Sequence, residues 1–193
     1  MVNAIKQGPT SSRVHPLTFA LWLIIISIIM MFAAFTSAYI VRKEEGNWLE
    51  FSLPDNLLLN TGLLLISSVF MQLAYNAAKK DNLQQVKIYL IATTLFGTGF
   101  LIGQWNAWGD LVSRNVFFSG STSNPSGSFL YVLTGVHAFH LITGLIFVII
   151  VLISSIQYKV HSRNLLRISL CTTYWHFLGG LWVYLYLFLS LNH

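Results

Sequence analysis

Three of the six histidines in this 193-residue chain stand at spacings that could do chemistry. Thr134, His137, His140 and Gly144 recur at i, i+3, i+6 and i+10, a single stripe if the segment is helical. Further on, Thr172-Thr173-Tyr174-Trp175-His176-Phe177 puts Thr172 and His176 on a face shared with Gly179 and Gly180. Neutral imidazole is the commonest metal ligand, so His137 or His140 with His176 could hold a haem b iron from both sides. The same rings could instead hydrogen-bond neighbouring helices or lipid head groups. A dinuclear metal centre in a helical bundle would need carboxylates, and neither segment contains one. The lone cysteine, Cys171, leaves no disulfide and no thiolate cluster to form.

The elements that must position these residues are membrane-spanning helices. Hydrophobic residues make up 55% of the chain and charged residues only 9%, against roughly 25% charged in a soluble domain. Every charge lies outside five stretches: 17–41, 57–78, 88–108, 129–156 and 168–191. About 20 apolar residues suffice for a helix to cross ~30 Å of hydrocarbon. The expected fold is therefore all-α, a polytopic membrane protein whose five transmembrane helices form a single membrane domain over residues 1–193. A soluble enzyme, a nucleic-acid-binding domain and a disulfide-built secreted domain are excluded. The first span is too long for the core of a cleavable signal, and four more follow it.

The net charge of +5 is a topology signal rather than a footprint for nucleic acid. Five spans place Lys6, Arg13, Lys79, Lys80, Lys87, Lys159, Arg163 and Arg167 on one side with Asp81. Arg42, Lys43 and Arg114 lie on the other, among Glu44, Glu45, Glu50, Asp55 and Asp110. The positive-inside rule then puts the N-terminus in the cytoplasm and the C-terminus in the periplasm.

Within the spans there is no Asp, Glu, Lys or Arg, which argues against an ion pump or carrier working by itself. Span three carries Thr94, Gly97, Gln104 and Trp108 along one face, with Gly99 and Gly103 as a GxxxG that lets helices approach closely. Gln104 is expected to bond across to another helix. The third loop, 109–128, is rich in serine and glycine and contains Pro125, a composition that resists regular structure. It divides spans one to three from spans four and five. The first loop carries Trp48 and Phe51, which suit the membrane interface.

The histidine segments also carry a family likeness. Thr134-Gly135-Val136-His137-Ala138-Phe139-His140-Leu141-Ile142-Thr143-Gly144 resembles the TGxHxxHxxxG helix of subunit III of haem–copper terminal oxidases. Tyr174-Trp175-His176-Phe177, followed by Trp182, is similar to the YWHF…W of that subunit's last helix. Phe100-Leu101 with Gln104 matches its FLxxQ, and Ser37-Ala38-Tyr39 resembles the end of an earlier helix. Order and spacing agree from about His15 to the C-terminus, as in the short five-helix bacterial form. Three departures stand out. The patterns SExxxF, FLxxQxxE and YWHFxD would place acids at positions occupied here by Ile28, Ala107 and Gly179.

The resemblance implies a non-catalytic subunit of an aerobic respiratory oxidase in the bacterial inner membrane, where oxygen is reduced to water and protons are translocated. It implies two helix groups flanking a lipid-filled cleft, set between the first two helices and the rest, on the route by which oxygen arrives. It implies no catalytic, cofactor or metal residue on this chain. Structural phospholipids would be its ligands, with haem and copper on partner subunits. Subunit I, the catalytic subunit, and subunit II would be its partners, within reach of a supercomplex with a cytochrome c-reducing or quinol-oxidising complex. His137, His140, Gly144, Trp175, His176, Gln104 and Thr134 are the candidate lipid-binding or helix-interface residues. Two other readings stand beside it: a haem-b-binding membrane anchor, and a stand-alone lipid-binding membrane protein.

Overall fold

The computed structural model describes residues 15–46, 48, 56–120, 124–157 and 165–192. Among them run five helices: α1 (Pro16–Glu44), α2 (Asn56–Lys79), α3 (Leu83–Ser113), α4 (Pro125–Ile156) and α5 (Leu166–Asn192). All five are long and apolar enough to cross a membrane, so the chain is a multi-pass membrane protein.

The helices overrun the charge-free stretches because a helix does not stop where the hydrocarbon does. α3 takes in Lys87 and Asp110 and spans 31 residues, about 46 Å at ~1.5 Å per residue. Its start is set by Asn82, whose side chain accepts from the Gln85 amide at 3.2 Å. The third loop is correspondingly shorter than its composition suggests. α3 runs through Gly109 to Ser113, and α4 begins at Pro125 behind an Asn124 cap whose side chain accepts from the Ser126 amide at 3.1 Å. Proline at the first helical position has no amide to leave unpaired, so Pro125 starts a helix here rather than breaking one.

α2 to α5 form a closed ring in which each helix packs on the next and α5 returns to α2. α2 and α3 make the most extensive pair, with Ala74, Ala77 and Ala78 buried near their turn. α1 stands outside the ring, touching α4 and α5 but, among the described residues, neither α2 nor α3. It buries a single stripe, Leu21, Ile25, Ile28, Phe32, Thr36 and Tyr39, at spacings of three and four.

This partition corrects the expected division at the third loop, and the cleft expected between the first two helices and the rest. α2 belongs to the bundle because its buried face meets the other helices through polar groups, with Thr61 accepting from Trp182 and Ser67 from Trp175. The two groups are α1 and the four-helix ring. Trp48 packs edge-on against Tyr39, with ring centroids 4.7 Å apart. Phe51 lies outside the described residues.

Candidate functional site: the histidine helices and the α1 groove

The Trp175 indole is where α2, α3 and α4 meet α5. A Cβ on Gly97 would lie 2.9 Å from its ring, and one on Gly144 3.3 Å from it and 2.9 Å from Leu178. Glycine at both positions is what lets α3 and α4 close on the indole. Its Nε1 donates to Ser67 Oγ at 3.2 Å, and Ser67 in turn donates to the Thr93 carbonyl at 3.0 Å. Gly103 serves a different contact, facing the Asn60 side chain on α2, while Gly99 is nearly free of neighbours. Of the GxxxG pair, only the second glycine makes a close approach.

One layer away, Trp182 donates to Thr61 Oγ1 at 3.0 Å and packs edge-on against Phe100, with centroids 4.8 Å apart. Thr134 accepts from Trp108 Nε1 at 3.0 Å and donates to the Leu130 carbonyl at 2.7 Å. Gln104 is buried between these layers, but its carbonyl oxygen has no partner in the protein. That oxygen makes no bond to another helix; Trp108, four residues on, bonds α4.

The three histidines do not converge. His137 is fully buried between Phe100 and Trp182, and neither ring nitrogen has a protein partner. His140 turns to α1, with its ring 6.1 Å from that of Phe32. Its Nδ1 lies 2.8 Å from the Val136 carbonyl, which can only accept. Nδ1 therefore carries the proton and Nε2 keeps a lone pair. His176 turns to α2, where Ser68 holds Nδ1 and the Gln72 carbonyl oxygen holds Nε2 at 3.0 Å. No group of three or more potential metal ligands occurs among the described residues.

The apparent stripe on α4 splits because each step of three residues falls about 60° short of a full turn, so that His140 stands about 120° round the helix from Thr134. Thr134 and His137 consequently face the ring while His140 faces α1. Thr172 and Thr173, close to His176 in sequence, donate to carbonyls of their own helix at 2.7 and 3.0 Å.

Beside the N-terminal half of α1 lies a groove of about 650 Å³. Leu21, Leu23, Ile24, Ser27 and Ile28 form one wall, and His140, Thr143, Phe147 and Tyr174 the other. Thr143 donates to the His140 carbonyl at 2.7 Å, so the Tyr174 hydroxyl is the donor in their 3.0 Å contact. The C-terminal half of α1 is fastened instead. Tyr184 donates to Thr36 at 3.2 Å, and the Asn192 carbonyl accepts from Tyr39 at 3.1 Å and from Lys43 Nζ at 2.6 Å. The Lys43 ammonium sits where the α5 dipole is negative.

Sequence reasoning passed over Ser68 and Gln72, which hold His176, and Thr143 and Tyr174, which line the groove. A usable signal was present for the first pair: Ser68, Gln72 and Asn76 recur every four residues on a transmembrane helix.

The family model for cytochrome c oxidase subunit III matches residues 3–192. The chain belongs to that family. It is 26% identical to the cytochrome bo(3) ubiquinol oxidase subunit 3 of Buchnera aphidicola from Schizaphis graminum, over 90% of this chain and 93% of the relative. It is 30% identical to a probable cytochrome c oxidase subunit 3 of Nocardia farcinica, over 83% of this chain and 80% of the relative. Identity to the quinol oxidase subunit 3 of Bacillus subtilis is 26%, covering 86% of this chain and 81% of that one. In this chain the helices that carry the histidines also seat Trp175 and Trp182 in the bundle.

Proposed function

We propose that this chain is the non-catalytic subunit III of an aerobic haem–copper oxidase in a bacterial inner membrane, with its N-terminus in the cytoplasm. It packs against subunits I and II, which carry the haem and copper, and supports turnover by structure and lipid. The observation that carries this reading is the use made of the signature residues. Trp175, Gly144 and Trp182 join helices to one another. A haem held between His176 and His137 or His140 fits poorly, because both His176 ring nitrogens are engaged by α2.

The α1 groove is where a structural phospholipid would lie. Its walls are mostly apolar, and the helix forming one of them is fastened at its far end. Basic residues at the cytoplasmic rim would pair with lipid phosphates. Oxygen partitions into hydrocarbon, so a lipid-filled groove also offers it a path toward the catalytic subunit.

The test is purification of the tagged chain in mild detergent. Co-purification with haem-containing subunits, in a complex that consumes oxygen, is the expected result. Recovery of the chain by itself with a stoichiometric haem would overturn the proposal in favour of a cytochrome. Within the intact complex, His140→Leu should reduce tightly held phospholipid and leave the haem spectrum unchanged.

A further inference from the structure

The surfaces that the five helices turn outward are not alike. α4 exposes Phe139, Ile142, Ile146, Ile149, Ile150 and Ile153, a face suited to lipid tails. The adjoining outer faces of α2 and α5 instead carry a polar chain. The Gln72 carbonyl oxygen can only accept, so His176 Nε2 carries the proton and donates to it at 3.0 Å. Nδ1 then holds the lone pair and accepts a hydrogen bond from the Ser68 hydroxyl. The Gln72 amide passes one hydrogen on to Asn76 Oδ1 at 3.4 Å.

These groups lie at membrane depth. Gln72 is about 10 Å and Ser68 about 16 Å from the Lys79 end of α2, at ~1.5 Å per residue. With Lys79 at the head groups, Ser68 stands near the middle of the ~30 Å hydrocarbon layer and Gln72 about 5 Å short of it. Once the chain of bonds is made, Gln72 keeps one amide hydrogen at this depth, while Asn76, within one turn of Lys79, keeps two near the head groups. Lipid tails cannot accept the Gln72 hydrogen, and an unmatched polar group in hydrocarbon is costly.

From this we infer that the outer face of α2 and α5 is the docking surface for a membrane-spanning helix of another oxidase subunit, one that presents hydrogen-bond acceptors. The inference rests on the reading of the chain as an oxidase subunit. The shape agrees with the chemistry. A groove of about 350 Å³ runs between the two helices, lined by Leu65, Val69 and Leu73 as well as by Ser68, Gln72 and His176. Gly180, one turn beyond His176, is exposed, and a Cβ there would meet nothing within 4 Å. A partner backbone can therefore come close.

The experiment places photoreactive benzoylphenylalanine at Val69 in the groove and, separately, at Ile149 on the α4 face, in the assembled oxidase. The expected result is a covalent adduct with another membrane subunit of the oxidase from Val69, and adducts with lipid from Ile149. A Gln72→Leu/Asn76→Leu variant should lower the fraction of chain retained on the complex by about threefold to tenfold, the loss of one or two interhelical hydrogen bonds. If the Val69 probe captures only lipid, or a second copy of this chain, the docking surface is wrong while the subunit assignment stands. If the unmodified chain carries no haem-containing partner through purification, the assignment itself fails.

Discussion

α1 and α5 show two ways of being a transmembrane helix in one small protein. α1 is among the most apolar of the five and the least buried, whereas α5 is the least apolar and the most buried. The order inverts that of a soluble protein, and lipid is the reason. A leucine side chain gains little by leaving lipid for protein, whereas Trp, Thr, Ser and His gain hydrogen-bond partners. α5 accordingly meets its neighbours through Trp175 on Ser67 and Trp182 on Thr61. α1 has bonds to the rest at Thr36, Tyr39 and Lys43, toward one end, and leaves a groove beside the other.

The contrast predicts effects of descending size. Trp175→Ala removes the indole that α2, α3 and α4 close upon, and should cost about 3–5 kcal/mol. A thermal melt of the purified complex, followed by release of this chain, would show it; a shift no larger than that of a surface control would break the contrast. Gly144→Ala puts a methyl group 2.9 Å from Leu178 and 3.3 Å from the Trp175 ring. Leu178 can yield more readily than the indole, so about 1–3 kcal/mol is expected by the same measurement.

Tyr39→Phe with Lys43→Met releases α1 at its fastened end for about 1–2 kcal/mol. Hydrogen exchange should rise in α1 and stay unchanged in α2–α5. Equal loosening of the ring would mean that α1 is an integral part of it. The smallest effect belongs to His137→Phe. Neither imidazole nitrogen has a protein partner, so an aromatic ring without them should leave stability within about 1 kcal/mol of the original. His176→Phe, which orphans Ser68 and Gln72, should cost more.

The five helices were legible because charge is so costly in hydrocarbon that its absence marks each span. Their ends were not, since helices continue through the head groups, where Lys87 and Asp110 cost nothing. The α4 glycine and the α5 tryptophan were legible as parts of the family likeness, and in the bundle the two touch. Which way each histidine faces was hidden. Residues three apart share a stripe on paper, yet His137 and His140 point to different neighbours once α1 packs on only part of α4. The partners of His176 were hidden too, because Ser68 and Gln72 lie more than a hundred residues away.

The three positions where relatives are expected to carry acids also acquire a physical setting. Ile28 lines the same groove as His140. A Cβ on Gly179 would approach Ser68, the partner of His176, at 3.9 Å. Ala107 is buried, next to Trp108, which bonds Thr134. At two of the three, a carboxylate would stand near a histidine that here makes do with serine, glutamine or a backbone carbonyl.

The central claim, that this chain supports the oxidase without carrying its chemistry, is tested most directly by comparing the complex with and without it. Oxygen consumption, its decline over successive turnovers and the haem spectrum would be recorded on matched preparations. The account predicts an unchanged haem spectrum and a similar initial rate, with activity lost after fewer turnovers when the chain is absent. Loss of a haem band together with the chain would contradict it.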